Sequence, residues 1–269
     1  MNQSGLERRN GRIVVALDAS PDSIAALRAA AEIAALLDIE LEGLFVEDIN
    51  LVHLCGFPFG QEVGSYTAAV RRLDNAALER QFRTIEVAIR RSMSQVATRL
   101  PVRWTFHVRR GPIVSELLTA AQDAALLSLG RSGQIRSRTL GSTASALVRK
   151  SQQPLLLLGR EGGLVFPLIA IYTGSSASKR ALQWLASLAR HDSRPVRVIV
   201  VARPDAPQTV EQLETDVQQI LGDQAVEFIP VRYGDVLMTL RSLNGGTLII
   251  SSDQAELLVE HSGPTVIVP

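Results

Sequence analysis

Short apolar runs alternate with helix-like segments along the first 160 residues of the chain. Residues 12–18 are rich in β-branched side chains and predict a buried strand. Ser20 and Pro21 then suit the cap and the first turn of an Ala-rich helix that ends near Leu37. Further strands are predicted at 40–46, 102–108, 124–129 and 154–158, with helices over 73–100, 113–123 and 144–150. This alternation predicts a parallel, doubly wound α/β sheet with helices on both faces.

Residues 49–66 interrupt the alternation with an apolar stretch that contains turn residues, including Phe57-Pro58-Phe59. We expect a loop here, which packs on its own domain, covers a ligand cleft as a lid, or docks a protein partner. Cys55 is the only cysteine, so the sequence offers no disulfide framework and no cysteine-based metal site. Its two alternative roles are packing and redox sensing.

A glycine-rich stretch joins the fourth predicted strand to the helix that follows it. Its small residues are Gly130, Gly133, Gly141, Ser142 and Thr143. Glycines allow a close approach of backbone amides to a ligand, and a helix start presents unpaired N–H groups and positive charge. A strand, a glycine loop and a helix start together suit a phosphate-bearing ligand. Arg131, Arg136 and Arg138 would add positive charge, and a plain turn with a serine cap is the alternative.

After a linker near residues 160–163, the same order of elements begins again. Residues 13–34 align without a gap on residues 168–189, so that Ser20 meets Ser175, and residues 154–158 align on 264–268. This self-similarity predicts a tandem duplication, with a first domain at 1–160 and a shortened second domain at 161–269.

The second half lacks the features that suggest a ligand site in the first. It is shorter between its second and third strands, which predicts a shorter helix there, and again between its fourth and fifth strands. Asp253 and Glu256 stand where the first half has glycines, and Thr173 stands where the first half has Asp18. We therefore expect one ligand site at most, in the first half.

Composition narrows the function further. The net charge of +1 and the 4% of aromatic residues give no signal for nucleic-acid binding. No run approaches the roughly 18 apolar residues of a membrane helix, and the N-terminal residues lack the apolar core of a signal peptide. A cytoplasmic protein without a membrane partner is the resulting expectation.

Little in the sequence suggests catalysis. The four histidines lie in separate segments without metal-ligand spacing, and no Gly-x-Ser-x-Gly motif occurs. The glycine loop does not end in Gly-Lys-Ser or Gly-Lys-Thr, so it is not a P-loop. We predict no catalytic residue and no protein-bound metal.

With Asp18 ending the first strand before a Ser-capped helix, and with the loop before a final apolar strand, the chain resembles the universal stress protein family in its two-domain form. The resemblance implies two tandem, open, five-stranded parallel sheets that contact each other near their fifth strands, the second one degenerate. Some members of the family bind ATP and others do not.

The resemblance also implies site residues. Asp18 and the backbone of Val46 would hold adenine. The ribose and phosphates would be bound by Gly130, Gly133, Gly141, Ser142 and Thr143. Seven residues separate Gly133 from Gly141, whereas the ATP-binding members have nine, and this shortens the reach of the loop by up to about 7 Å.

Three hypotheses follow. In the first, a stress-response protein binds ATP, ADP or AMP in its first domain, with Mg²⁺ present only with the phosphates, and signals through occupancy. In the second, the shortened loop no longer binds nucleotide, and the chain is an interaction or scaffold protein. In the third, the first site hydrolyses ATP slowly. A homodimer or another protein partner is compatible with each.

Overall fold

The chain forms twelve strands and eight α-helices in the part that the computed structural model describes. The described residues are 11–55, 61–63, 70–72, 74–132, 140–159, 162–190, 194–203, 208–243, 245–259, 261 and 263–269. The first half contains β1 (Arg12–Ala16), α1 (Pro21–Leu37), β2 (Glu40–Asp48), α2 (Ile49–Cys55), β3 (Gln61–Val63), β4 (Val70–Arg72), α3 (Asn75–Arg99), β5 (Trp104–Gly111), α4 (Ile113–Ala121), β6 (Leu126–Gly130), α5 (Ser142–Lys150) and β7 (Leu155–Leu158).

The second half repeats this plan in a shorter form. It contains β8 (Leu168–Tyr172), α6 (Ser176–Ala189), β9 (Val196–Ala202), α7 (Val210–Leu221), β10 (Val226–Arg232), the 3₁₀ helix η1 (Tyr233–Asp235), α8 (Val236–Ser242), β11 (Thr247–Ser251), the 3₁₀ helix η2 (Ser252–Val259) and β12 (Thr265–Val268). The expected shorter helix is α7, with 12 residues against 25 in α3. In the place of the glycine loop and α5, the second half has η2.

The ten long strands make one sheet in which the two halves have the same strand order. The order is β5-β2-β1-β6-β7 in the first half and β10-β9-β8-β11-β12 in the second. All pairs within a half are parallel, whereas β7 and β12 pair antiparallel, with Leu156 opposite Val266. The predicted α/β fold is confirmed, and the expected contact near the fifth strands is a direct backbone ladder that joins both halves.

Helices cover both faces of the sheet and create two buried clusters. Ile13 and Val15 of β1 point to the face covered by α1, α3, α6 and α7. Val14 points to the opposite face, which is covered by α4, α5, α8 and η2. Strands buried on both faces need unbroken apolar runs, which explains why β7 and β12 contain almost only Leu, Ile and Val.

The predicted loop at 49–66 is wrong in its first part, where the chain forms helix α2. The Asp48 carboxylate accepts a hydrogen bond from the Asn50 N–H (2.9 Å) where the helix begins. Val52 and Cys55, three residues apart, pack against the large core cluster, as one face of a helix does. Strands β3 and β4 pair as a short antiparallel ladder. Phe57-Pro58-Phe59 and the remainder of the segment lie outside the described residues.

Candidate functional site

A cleft of about 430 Å³ opens at the carboxyl ends of β1 and β6. β1 and β6 are neighbours in the sheet, although two other long strands, β2 and β5, lie between them in the sequence. The chain adds β2 and β5 on one side of β1, and β6 and β7 on the other, so the strand order reverses between β1 and β6. Open α/β sheets bind ligands at such a reversal. The cleft brings together six predicted site residues: Asp18, Val46, Gly130, Gly141, Ser142 and Thr143. The seventh, Gly133, lies outside the described residues.

The inner wall of the cleft is apolar. It is formed by Ala16, Leu44, Ile113, Leu117 and Leu129, which come from three strands and from α4. An apolar wall with a few polar groups at its rim is typical of small-molecule sites. This part of the cleft therefore suits a flat, weakly polar group.

The Asp18 side chain stabilises the turn that leads into α1. One carboxylate oxygen accepts a hydrogen bond from the Ser20 N–H at 2.9 Å. The Ser20 hydroxyl in turn caps α1 by accepting from the Ser23 N–H at 3.2 Å. Asp18 thus has a turn-forming role, and a role in binding adenine stays a prediction.

Ala19, next to Asp18, has a left-handed backbone with φ of 61°. The aligned residue in the second half is Gly174, with φ of 76°. An L-residue in this region costs roughly 1–2 kcal/mol, which a glycine avoids. The first half therefore keeps a strained residue beside the cleft where the second half has none.

We expect Ala19→Gly to raise the free energy of unfolding by about 0.5–1 kcal/mol. The relief of strain exceeds the greater chain entropy that glycine loses on folding, which is about 0.5–1 kcal/mol. Urea denaturation measures the change. Ala88→Gly, at an exposed position within α3, is the matched control and should lower stability by about 1 kcal/mol. A loss of stability in Ala19→Gly would contradict the strain.

Gly130 lies where β6 passes close to the start of α1. A β-carbon at this position would stand 2.7 Å from the Asp22 β-carbon and 3.0 Å from the Asp22 carbonyl carbon. Asp22 is buried, and its carboxylate accepts hydrogen bonds from the Ser132 hydroxyl (2.6 Å) and the Ser132 N–H (3.2 Å). The absence of a side chain at Gly130 is therefore required by packing, whatever ligand the loop binds.

Asp22 supports the loop from behind the cleft through Ser132, a contact that the sequence did not predict. Asp22 lies in the first turn of α1, where a carboxylate also interacts favourably with the positive helix end. In the sequence, Asp22 follows Asp18 by four residues, across the turn between β1 and α1. That spacing gives no indication that Ser132, 110 residues away, completes the contact.

Helix α5 begins at the cleft with Gly141 as its cap residue, which makes no side-chain cap hydrogen bond among the described residues. The Gly141 N–H donates to the Arg131 carbonyl at 2.8 Å, so the two ends of the loop are tied together. First-turn amides of a helix have no intrahelical acceptor, and they carry partial positive charge. Ser142 and Thr143, which line the cleft, therefore offer a place for an anionic group.

Arg131 lines the cleft, where the sequence predicts added positive charge, but its side chain is also held by the second half. The Arg131 guanidinium donates to the Leu258 carbonyl (2.7 Å) and the Gly263 carbonyl (3.3 Å) of the second half. Burial lowers the pKa of Arg131, and the nearby Asp22 charge opposes that shift. Arg136 and Arg138 lie outside the described residues.

The comparison with known protein families agrees with this geometry. Residues 9–159, more than half of the chain, match the universal stress protein family. The chain belongs to this family. A search of curated proteins finds no match.

Solved structures extend the likeness to both halves. A universal stress protein from Archaeoglobus fulgidus has a TM-score of 0.70 at 12% identity, and the match covers 96% of this chain and 98% of that one. Protein PA1789 from Pseudomonas aeruginosa has a TM-score of 0.54 at 13% identity, covering 98% of this chain and 93% of that one. At such identities the likeness shows the fold of a universal stress protein over the whole chain.

The second half of this universal stress protein is built differently at the corresponding place. Thr173 takes the position of Asp18, and its hydroxyl lies 3.2 Å from the hydroxyls of Ser175 and Ser178. Helix η2 inserts Leu257 and Leu258 into the core where the first half has its loop and α5. The second half therefore has buried leucines in the segment where the first half has its loop and helix start.

The described residues contain neither a metal-binding cluster nor a membrane-spanning helix. No group of three or more His, Cys, Asp or Glu side chains in them is arranged to hold a metal ion. None of the helices within the described ranges has the length and apolar character needed to cross a membrane.

Proposed function

We propose that this universal stress protein binds an adenine nucleotide (ATP, ADP or AMP) in the cleft of its first half. We further propose that it regulates a stress response through the occupancy of this site. One observation supports the proposal above the others. Six residues that the family resemblance implies for the base, ribose and phosphates come from separate segments, and they line one cleft.

The cleft fits such a ligand in size and polarity. Its volume of about 430 Å³ lies within the roughly 300–1,000 Å³ typical of ligand pockets. The apolar wall suits adenine, with Asp18 and the backbone of Val46 at its edge. The start of α5 suits the phosphates, with Gly141, Ser142 and Thr143. Mg²⁺ would arrive with the phosphates and neutralise part of their charge.

Nucleotide released from the purified protein tests the proposal. After acid precipitation, mass spectrometry of the supernatant should detect ATP, ADP or AMP at close to one per chain. Calorimetric titration of nucleotide-free protein with ATP and Mg²⁺ should give the same stoichiometry. An empty supernatant together with a titration without heat would overturn nucleotide binding.

A change at Asp18 separates its two roles. Asp18→Asn keeps an oxygen that can accept from the Ser20 N–H, but it replaces the second carboxylate oxygen with a donor. We expect the affinity for ATP to fall about tenfold, because hydrogen bonds to a charged group contribute about 1.5–3 kcal/mol. Calorimetry measures the affinity.

Thr173→Ala, at the aligned position of the second half, is the matched control for Asp18→Asn. It should leave ATP binding unchanged, because the proposed site lies in the first half alone. An unchanged affinity in Asp18→Asn would restrict Asp18 to its role in the turn.

A second candidate function is that of an interaction or scaffold protein without bound nucleotide. The observation that favours it is the packing of Gly130 against Asp22, which accounts for this glycine without a ligand. An empty supernatant after acid precipitation and a titration with ATP that gives no heat would favour this candidate. Domain limits at 1–160 and 161–269, a cytoplasmic location, a homodimer and slow ATP hydrolysis stay predictions.

A further inference from the structure

We propose that the second half of the chain supports the first-half site from outside the cleft, because the Arg131 side chain joins the end of β6 to Leu258 and Gly263. The inference rests on the proposed nucleotide binding and adds a form of regulation to it. Occupancy of the cleft and the order of the C-terminal segment should then depend on each other.

The backbone of Arg131 belongs to the cleft itself. Its N–H donates to the Leu158 carbonyl at 2.8 Å, and its carbonyl accepts from the Gly141 N–H at 2.8 Å. Arg131 thus connects the end of β6 to the end of β7 and to the start of α5. A displacement of this residue moves the groups that face the ligand.

The side chain of Arg131 reaches across the junction between the halves. One guanidinium nitrogen donates to Leu258, at the end of η2, and another donates to Gly263, just before β12. A guanidinium can hold two carbonyl groups at once because its donors are fixed in a planar fork, which a lysine ammonium lacks. Without these acceptors a half-buried cation would lose its partners, which is costly.

Helix η2 also supports the helix that begins at the cleft. Leu257 and Leu258 of η2 belong to the same buried cluster as Ala144 and Leu147 of α5. Both elements that end at the cleft, the loop and α5, therefore contact the C-terminal segment of the second half.

The aligned position in the second half makes a local contact instead. The second-half residue that aligns with Arg131 is Gln254, and its side-chain oxygen accepts from the Ser251 N–H at 3.3 Å within the same segment. Gln254 therefore stabilises its own segment, whereas Arg131 at the aligned position contacts the other half.

Thermodynamic linkage makes the proposal measurable. If an ordered 252–264 segment strengthens nucleotide binding, bound nucleotide must stabilise that segment by the same factor. The described residues of this segment do not line the cleft, so this protection would come through Arg131 and α5.

Hydrogen exchange of the full chain, with and without saturating ATP and Mg²⁺, tests the inference. In the wild type, ATP should slow exchange of amides in 252–264 about tenfold. In Arg131→Met, exchange of these amides should be about tenfold faster without ligand, and the affinity for ATP about tenfold weaker, as expected for the loss of charge-assisted hydrogen bonds. Arg131→Lys should show the same changes to a smaller extent. Because it keeps the positive charge, it also serves as the test variant if Arg131→Met does not fold.

Arg180→Met is the matched control. The Arg180 side chain also donates to a carbonyl oxygen next to β12, that of Pro269 at 2.7 Å. Pro269 follows β12, whereas the Gly263 carbonyl that Arg131 contacts precedes it. This variant should leave both the exchange of 252–264 and the affinity for ATP within about twofold of the wild type.

The outcomes separate this inference from the function on which it rests. If the wild type does not bind ATP, both are overturned. If the wild type binds ATP and the Arg131 variants bind it equally well, only the role of the second half is overturned. The same holds if ATP leaves exchange of 252–264 unchanged.

Discussion

Leu156→Ala should lower the free energy of unfolding by about 2–5 kcal/mol, because the change removes a fully buried side chain and leaves a cavity. Leu156 lies in the centre of β7, between Ser128 of β6 and Val266 of β12. The cavity would therefore open at the ladder that joins the two halves, so that we expect both halves to lose stability together.

The two tryptophans of the chain make this expectation testable, because one lies in each half. Trp104 is in β5 and Trp184 is in α6. Urea denaturation followed by fluorescence, in variants that keep only one tryptophan, should show the same loss from Leu156→Ala with either probe. A loss seen by Trp104 alone would mean that the halves unfold independently.

Leu51→Ala is the matched control for the cavity. Leu51 lies on α2 with 42% of its surface exposed, so its truncation removes little buried area. We expect a change within about 0.5 kcal/mol, as for other surface positions.

Gly130→Ala should destabilise the nucleotide-free protein by about 1–3 kcal/mol, the usual cost of forcing atoms into a filled space. The added β-carbon would meet the backbone of Asp22 and Ser23 at 3.0–3.1 Å, and a backbone contact cannot be relieved by a rotamer change. Thermal or urea denaturation without nucleotide measures this cost.

Gly234→Ala is the control for Gly130→Ala, because no described atom lies within 4 Å of a β-carbon built there. We expect its stability to stay within about 0.5 kcal/mol of the wild type. If Gly130→Ala retained full stability and lost only affinity for ATP, the glycine would serve the ligand instead of the packing.

Much of this architecture follows from local sequence patterns. Residues 13–15 and 155–158 are apolar without interruption, which is the pattern of strands buried on both faces, and Ser20 and Ser175 are in place to cap α1 and α6. The grouping of Asp18 with Gly130 was also predictable in outline, because the carboxyl ends of parallel strands meet at one edge of a sheet. The short helix α2 was missed because its seven residues are bracketed by turn-forming residues and because Val52 and Cys55 are only partly buried against the core.

Only the tertiary structure decided which distant groups complete the site. The Ser132–Asp22 contact spans 110 residues and the Arg131–Leu258 contact spans 127, and no periodicity in the chain records such pairs. An arginine in a glycine-rich loop can donate hydrogen bonds to a phosphate or to a carbonyl group. Where its side chain points therefore depends on which acceptors the packing brings near. The sequence alone determined the α/β fold, and it predicted the duplication and the half that carries the cleft, because these depend on local apolar patterns and on residues at strand ends. The joining of β7 to β12 set the direction of Arg131, because that ladder places η2 beside the loop.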